Sequence, residues 1–424
     1  VWEGPLSASR FDKEVAGIGI TEEPKTVAPV WLVVTCAMMG LLVGLSMMLM
    51  GEPSANLPAL VQNFHAEDRH LSCSVFRTVR IAIVSGLSIA GAGSLGPEAP
   101  LVSMGGGVAF YVAKYWNIEK QPDVCICTLA GMSSGLGAFF GQPIAGALFS
   151  LEVVHRYGLE YFEALLPSIF AAIVGNCVFR GMVPMGSEAI WRFADKAWDL
   201  HYPPYYSLLY GVPAGLVGGL VGSAWNLALS WSRRNVCQRI PSLWGKALLG
   251  GIVVGLIGTV APASLFWGEL EIAAIIKGDL TSLPHLPEAL AKASVIGKYA
   301  DLSTASGQFV TGVAKLASTM VTVLAGYRGG YIFPLMNAGF GIGLGFAKLF
   351  GLDEVLLGLP FAVAFIVPGT RTWLAIPLVG AYLSARWDVF MPCVVASIVA
   401  LMTSSKTAAI AGARSRTDLK CYAD

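Results

Sequence analysis

Gly91-Ala92-Gly93-Ser94-Leu95-Gly96-Pro97-Glu98-Ala99-Pro100 runs on, with no further charge, into Leu101-Val102-Ser103-Met104-Gly105-Gly106-Gly107. One carboxylate, Glu98, stands between two prolines in otherwise apolar sequence. Pro97 and Pro100 suit the first turn of a helix, where a missing N–H costs little. The glycines before them permit close backbone approach. The stretch therefore reads as a helix start buried at membrane depth, with free backbone N–H groups and one acid. Helix N-termini attract anions. The stretch is half of an expected anion site, in which Glu98 competes with the anion.

The rest of the chain supports membrane depth. Of 424 residues 55% are hydrophobic and 13% charged, and the mean hydropathy is +0.65. A soluble domain carries about 25% charged residues, so the chain reads as an all-α polytopic membrane protein. A net charge of +1 and a pI near 7.7 give no case for nucleic acid. Uncharged runs occur at 30–50, 124–151, 202–232, 247–267, 329–347, 355–370 and 389–405; several match a span of ~20 residues. The runs at 101–113 and 316–327 are too short to cross as straight helices, and short segments interrupted by glycine and proline mark broken helices around a mid-membrane site. In 124–151, Gly135, Gly137, Gly141 and Pro143 predict two broken helices. Residues 268–298 are less apolar and predict an interfacial helical insert. The eight cysteines are scattered without C-x-x-C spacing and read as core residues. The five histidines form no cluster, so neither a metal nor a cofactor is expected. Residues 1–28 lack a basic stretch feeding a short apolar core, so no cleavable signal peptide is expected.

An internal repeat sets the architecture. With residue n beside residue n + 234, Gly96 meets Gly330, Pro100 meets Pro334, Gly105 meets Gly339, and Ala113-Lys114 meets Ala347-Lys348. Farther on, Pro143 meets Pro377, Gly146-Ala147 meets Gly380-Ala381, and Ser150 meets Ser384. Two related halves predict a transporter-like fold of inverted-topology repeats with the site at their interface. The expected division is a cytosolic segment 1–29, a first membrane repeat 30–201, a second 202–413 and a short basic tail 414–424. Basic flanks place both termini inside. The counterpart of the Glu98 stretch is Gly329-Gly330-Tyr331-Ile332-Phe333-Pro334, with Ile332 opposite Glu98. Both halves thus offer a helix N-terminus, and one brings a carboxylate. Such a charge earns only ~0.3–1 kcal/mol from a helix dipole at a surface, yet costs at least ~2.5 kcal/mol at membrane depth; a functional role is the better account.

These residues also carry a resemblance. Gly96-Pro97-Glu98-Ala99-Pro100 resembles the G-K/R-E-G-P motif of the voltage-gated chloride channel and transporter (CLC) family, in its bacterial-like or plastid-like branch. Gly330-Tyr331-Ile332-Phe333-Pro334 resembles its G-x-F-x-P motif, and Gln142-Pro143-Ile144-Ala145-Gly146-Ala147-Leu148-Phe149-Ser150-Leu151-Glu152 its A-P-L-A-G-x-L-F-x-x-E segment. The resemblance implies a homodimer in a lipid bilayer, one pore per subunit, and small inorganic anions such as chloride as substrate. It makes Glu98 the gating glutamate, which leaves the anion site when protonated or displaced. It places the anion against Gly96, Pro97, Glu98, Ala99, Gly330, Tyr331, Ile332 and Phe333, with main-chain amides of Tyr331 and Ile332 coordinating. Backbone donors hold an anion without trapping it. Ser54-Ala55-Asn56-Leu57-Pro58 stands where the family has G-S-G-I-P, so Ser54 and Ala55 are further anion-site candidates. Pro97 replaces the family's basic residue, Ala99 a glycine and Ile332 a phenylalanine, and Lys406-Thr407-Ala408-Ala409 stands where the family has an inner-gate tyrosine.

Proton-coupled members carry an acid one residue beyond Glu152. Here that residue is Val153, which cannot relay protons. A passive chloride channel is therefore favoured; the alternative is a chloride/proton antiporter using Glu98 and Glu152. Glu152 is otherwise a partner for Arg156, one helical turn on. Gly131-Met132-Ser133-Ser134-Gly135 matches the G-x-S-x-G nucleophile elbow, but that elbow needs a strand–turn–helix context with later Asp and His partners, so no enzyme is expected. The expected location is a plasma, thylakoid or plastid envelope membrane.

Overall fold

Helices stop and start at glycine and proline. The computed structural model describes residues 29–51, 75–154, 158–183, 191, 207–236, 239–240, 242–283 and 299–404. These hold α1 (Pro29–Met50), α2 (Val75–Ala90), α3 (Glu98–Tyr115), α4 (Gln121–Phe140), α5 (Pro143–Val154) and α6 (Gly158–Met182). They continue with α7 (Ser207–Asn235), α8 (Leu243–Val260), α9 (Glu269–Lys277), α10 (Ala305–Leu324), α11 (Ile332–Phe350), α12 (Glu354–Thr370), α13 (Ala375–Ser384) and α14 (Phe390–Thr403). Pro97 precedes α3, and Gly141, in the left-handed region at φ 67°, separates α4 from α5. The 124–151 run is thus two helices, as the glycines predict.

The n + 234 register superposes α3 on α11, α4 on α12, α5 on α13 and α6 on α14. Packing repeats with it. α3 lies on α4 as α11 lies on α12, α2 on α3 as α10 on α11, and α4 on α6 as α12 on α14. Gly96 and Gly330, equivalent in this register, exchange both backbone hydrogen bonds at 2.7 Å in the one isolated bridge among the described residues. That bridge is antiparallel. A residue bonded reciprocally to its own repeat equivalent lies on the two-fold axis between the halves, so the halves run in opposite directions there.

Among the described residues seven helices are long and apolar enough to cross a membrane, and the chain is a multi-pass integral membrane protein. Burial sorts them. Only 17% of the α6 span is buried, and Phe162, Leu166 and Phe170 face outward, as suits lipid. In α11 the buried share is 83%, and α12 packs along it. These two helices form the hub. α3 and α4 meet backbone to backbone at two glycines: a Cβ on Gly105 would lie 2.3 Å from the Gly131 carbonyl oxygen, and a Cβ on Gly131 2.3 Å from that of Gly105. Small residues permit this approach in membranes.

Two expectations are corrected. The 316–327 run is not a short broken piece: it is the end of α10, a 20-residue span. Its start contains Gln308, Thr311 and Lys315, all buried, and the charge of Lys315 cuts the uncharged run short although the whole helix is apolar enough to span. α9 is not an interfacial insert. Glu271, Ile272, Ala274, Ile275 and Ile276 are buried, and the helix packs on α11; residues 284–298 lie outside the described residues.

Candidate functional site

α3 and α11 begin on either side of the Gly96–Gly330 bridge, so the first-turn amides of two helices converge on one axis. Glu98, the first residue of α3, is 1% exposed. Its Oε1 accepts a hydrogen bond of 3.0 Å from the backbone N–H of Phe333, in the first turn of α11. The carboxylate of one half therefore caps the helix of the other. Its Oε2 is buried and has no hydrogen-bond partner. A Cβ on Gly96 would lie 2.2 Å from this oxygen and one on Gly330 2.3 Å, so the absence of side chains at both glycines makes the carboxylate's berth. A cavity of about 20 Å³ adjoins it, lined by Glu98, Ala99, Val102, Phe149, Arg233, Tyr331 and Ile332 among others. That is room for about one water, or for a small monatomic anion.

Packing fixes the α11 tip. The Phe333 ring meets Phe139 edge-on at 5.4 Å and Trp191 at 6.0 Å. The Tyr331 ring lies 6.0 Å from Trp225. Aromatic pairs of this kind contribute ~0.5–1.5 kcal/mol each beyond area burial. Gly96, Pro97, Ala99, Gly330, Tyr331, Ile332 and Phe333 thus surround Glu98, with Phe333 supplying the amide. Ser54, Ala55 and Lys406-Thr407-Ala408-Ala409 lie outside the described residues.

Glu152 sits elsewhere. It is 6% exposed, and its two oxygens accept from the backbone N–H groups of Leu374 (3.1 Å) and Ala375 (3.0 Å), at the start of α13. An acid from the first half again caps a helix of the second. Arg156, its expected partner, lies outside the described residues, and Val153 is buried at 1% exposure. Glu152→Gln should lose one charge-assisted acceptor and lower thermal stability by ~1 kcal/mol, the scale of a lost cap; an unchanged melting temperature in detergent would contradict the cap. Ser133 is buried within α4 and donates to the Leu129 carbonyl at 2.8 Å. It sits on no strand–turn–helix elbow.

Three charged residues near the site escape sequence reading. Lys315, 0% exposed in α10, donates to the carbonyls of Ser264 (3.2 Å), Leu265 (2.9 Å) and Phe266 (2.7 Å). Glu269 opens α9 next to Gly268, where a Cβ would lie 3.2 Å from the Phe333 carbonyl oxygen of the α11 tip. Arg233, in the last turn of α7, lines the Glu98 cavity although its place in the sequence reads as a basic loop. A lone lysine in an apolar stretch is the one signal that could have found Lys315.

Gly96→Ala tests the berth. The three atoms nearest its new Cβ all belong to the Glu98 carboxyl group, the far end of a flexible side chain, so the backbone stays and the carboxylate must leave. Anion flux from vesicles should rise several-fold and lose most of its pH dependence. Flux and pH profile like those of the parent would show that the carboxylate does not rest there.

Fold and site together define a membrane protein of two inverted repeats, whose half-helices aim N–H groups at a buried carboxylate on their common axis. The chain belongs to the voltage gated chloride channel family, whose sequence profile matches residues 39–405. It is 27% identical over 355 residues to a chloride/fluoride channel protein of Pseudomonas syringae pv. tomato, covering 79% of this chain and 68% of the relative. It is 27% identical over 294 residues to the chloride channel protein CLC-e of Arabidopsis thaliana, covering 66% of this chain and 37% of that longer protein. The fold matches the crystal structure of a slow cyanobacterial Cl−/H+ antiporter with a TM-score of 0.69 at 19% identity, covering 97% of this chain and 92% of that one. It matches a CLC-type fluoride/proton antiporter with a TM-score of 0.63 at 19% identity, covering 92% and 99%. Anion transport is the activity of this family.

Proposed function

We propose that the chain conducts a small inorganic anion, chloride or fluoride, through a pathway in each subunit of a homodimer, and that Glu98 is the gate. The observation that carries this is the Phe333 amide, at the tip of α11, engaged by the Glu98 carboxylate at 3.0 Å. An anion and a carboxylate compete for such a donor, and whichever sits there excludes the other. Backbone N–H groups bind reversibly, as conduction requires. Gly96, Pro97, Ala99, Gly330, Tyr331 and Ile332 complete the anion's surroundings, with Ser54 and Ala55 as further candidates. In this reading the membrane repeats are 30–201 and 202–413.

Passive conduction is favoured by Val153, a buried valine beside Glu152. Coupled anion/proton exchange is the second reading. It is favoured by the antiporters that share the fold and by Glu98, which can carry a proton. Glu152 serves the second reading poorly, since both its oxygens are committed to amides of α13. The deciding experiment is the reversal potential of the purified protein in vesicles at fixed anion gradient. A value that ignores an imposed pH gradient supports the channel, and a value that moves with it establishes exchange.

A further inference from the structure

The cavity beside Glu98 has one acid and one cation among the described residues of its wall, Glu98 itself and Arg233. The remaining wall is aliphatic, aromatic or glycine. An anion that enters gives up much of its hydration and meets the Glu98 carboxylate. Desolvation and like-charge repulsion both oppose entry, unless a cation shares the space.

α7 carries Arg233 to that space. Trp225, Leu229 and Ser232 are buried on one face of the helix. The Trp225 ring lies 6.0 Å from Tyr331 at the α11 tip, its indole N–H donates to the Leu316 carbonyl of α10 at 3.2 Å, and Ser232 Oγ lies 3.8 Å from Met320 Sδ of α10. This face is therefore docked on both helices that approach the site. Arg233 stands one turn beyond Leu229 and so shares its face. There the face meets water: Arg233 is exposed while it walls the cavity. No hydrogen bond or ion pair joins its guanidinium to another described residue. Its neighbour Arg234, by contrast, donates from Nε to the Ser230 carbonyl of its own helix at 3.3 Å. Arg233 thus keeps its fork of N–H donors for a ligand.

We propose that Arg233 makes a waiting site for the anion in this cavity, one step before the Phe333 amide, an inference that rests on the anion passing Glu98. The ligand is a small inorganic anion. The guanidinium offsets the charge of Glu98, so the anion occupies the cavity while the carboxylate still holds the amide. When Glu98 leaves, the anion stands beside the vacated donor and moves onto it. The cavity, about 20 Å³, admits one such ion at a time. Exposure keeps the guanidinium in contact with water, so binding is weak enough for release, as conduction through adjacent sites requires.

The test is anion efflux from vesicles holding the full chain, across a series of chloride and of fluoride concentrations. Arg233→Gln should raise the half-saturating concentration of the anion that passes about fivefold or more, the scale of one lost hydrogen bond. Arg233→Lys, which keeps the charge, should recover much of that loss. Arg234→Gln should saturate like the parent. In a Glu98→Ala background the Arg233→Gln shift should persist, since the site lies beside the carboxylate and not on it. An Arg233→Gln protein that saturates like the parent overturns the waiting site. So does an equal shift in Arg234→Gln, which would mark a diffuse surface charge, and so does a shift that vanishes without Glu98, which would show that Arg233 holds the carboxylate and not the anion. If Glu98→Ala alone keeps the parent's pH response, the gate falls and the waiting site with it; if Glu98→Ala is pH-insensitive and Arg233→Gln is silent, the waiting site alone falls.

Discussion

Glu98→Ala should pass anions at every pH, with flux near neutral about tenfold or more above the parent's. The sign follows from the site. The ionised carboxylate accepts from the Phe333 amide, and a hydrogen bond to a charged group contributes ~1.5–3 kcal/mol. Losing it shifts the competition toward the anion by a factor of ten for each ~1.4 kcal/mol. Protonation removes the same charge, so parent flux should rise as pH falls, while the variant's should be flat. Alanine also leaves Oε2's place between Gly96 and Gly330 open. The backbone bridge is untouched, so folding should be preserved. Vesicle efflux across a pH series measures both effects, and a variant that keeps a steep pH dependence would remove Glu98 from the gate.

Lys315→Met should be the most destabilising single change near the site. Its ammonium satisfies three backbone carbonyls in a wholly buried place. An unsatisfied buried acceptor costs ~1–3 kcal/mol, three carbonyls lose their donor together, and the favourable charge interaction with Glu271 is lost as well. Native proteins are stable by only ~5–15 kcal/mol, so the variant should melt far below the parent or fail to appear as a monodisperse peak. Glu271→Gln in the same chain should recover the charge contribution but not the carbonyls. A melting temperature within a degree or two of the parent's would show that water replaces the ammonium.

What the sequence discloses about this site depends on how local the physics is. The α3 tip is legible because Pro97, Glu98 and Pro100 are contiguous and each has a reason at a helix start. The α11 tip is legible through its repeat, although Ile332 carries no signal of its own. The break at Gly141 and the all-α membrane class follow from local composition. α10 is misjudged because Lys315 ends the uncharged run early. Its ammonium meets the carbonyls of the α8–α9 connection and Gln308 meets the Ile275 carbonyl of α9, and sequence distance hides that. Glu152 is equally opaque: its partners lie more than 220 residues away, so a neighbour such as Arg156 is the natural but local guess. Glu269 and Arg233 are ordinary charges in sequence; only the fold brings Arg233 to the Glu98 cavity and the start of α9 to the α11 tip.

Bromide, visible by its anomalous scattering, tests the central claim most directly, in crystals of the parent and of Glu98→Ala grown at high pH. The account predicts bromide within hydrogen-bonding distance of the Phe333 amide in the variant, where Glu98 Oε1 rests in the parent, and none at that amide in the parent. Bromide at that amide in the parent with Glu98 still bound, or a variant whose α11 tip binds none, would contradict it.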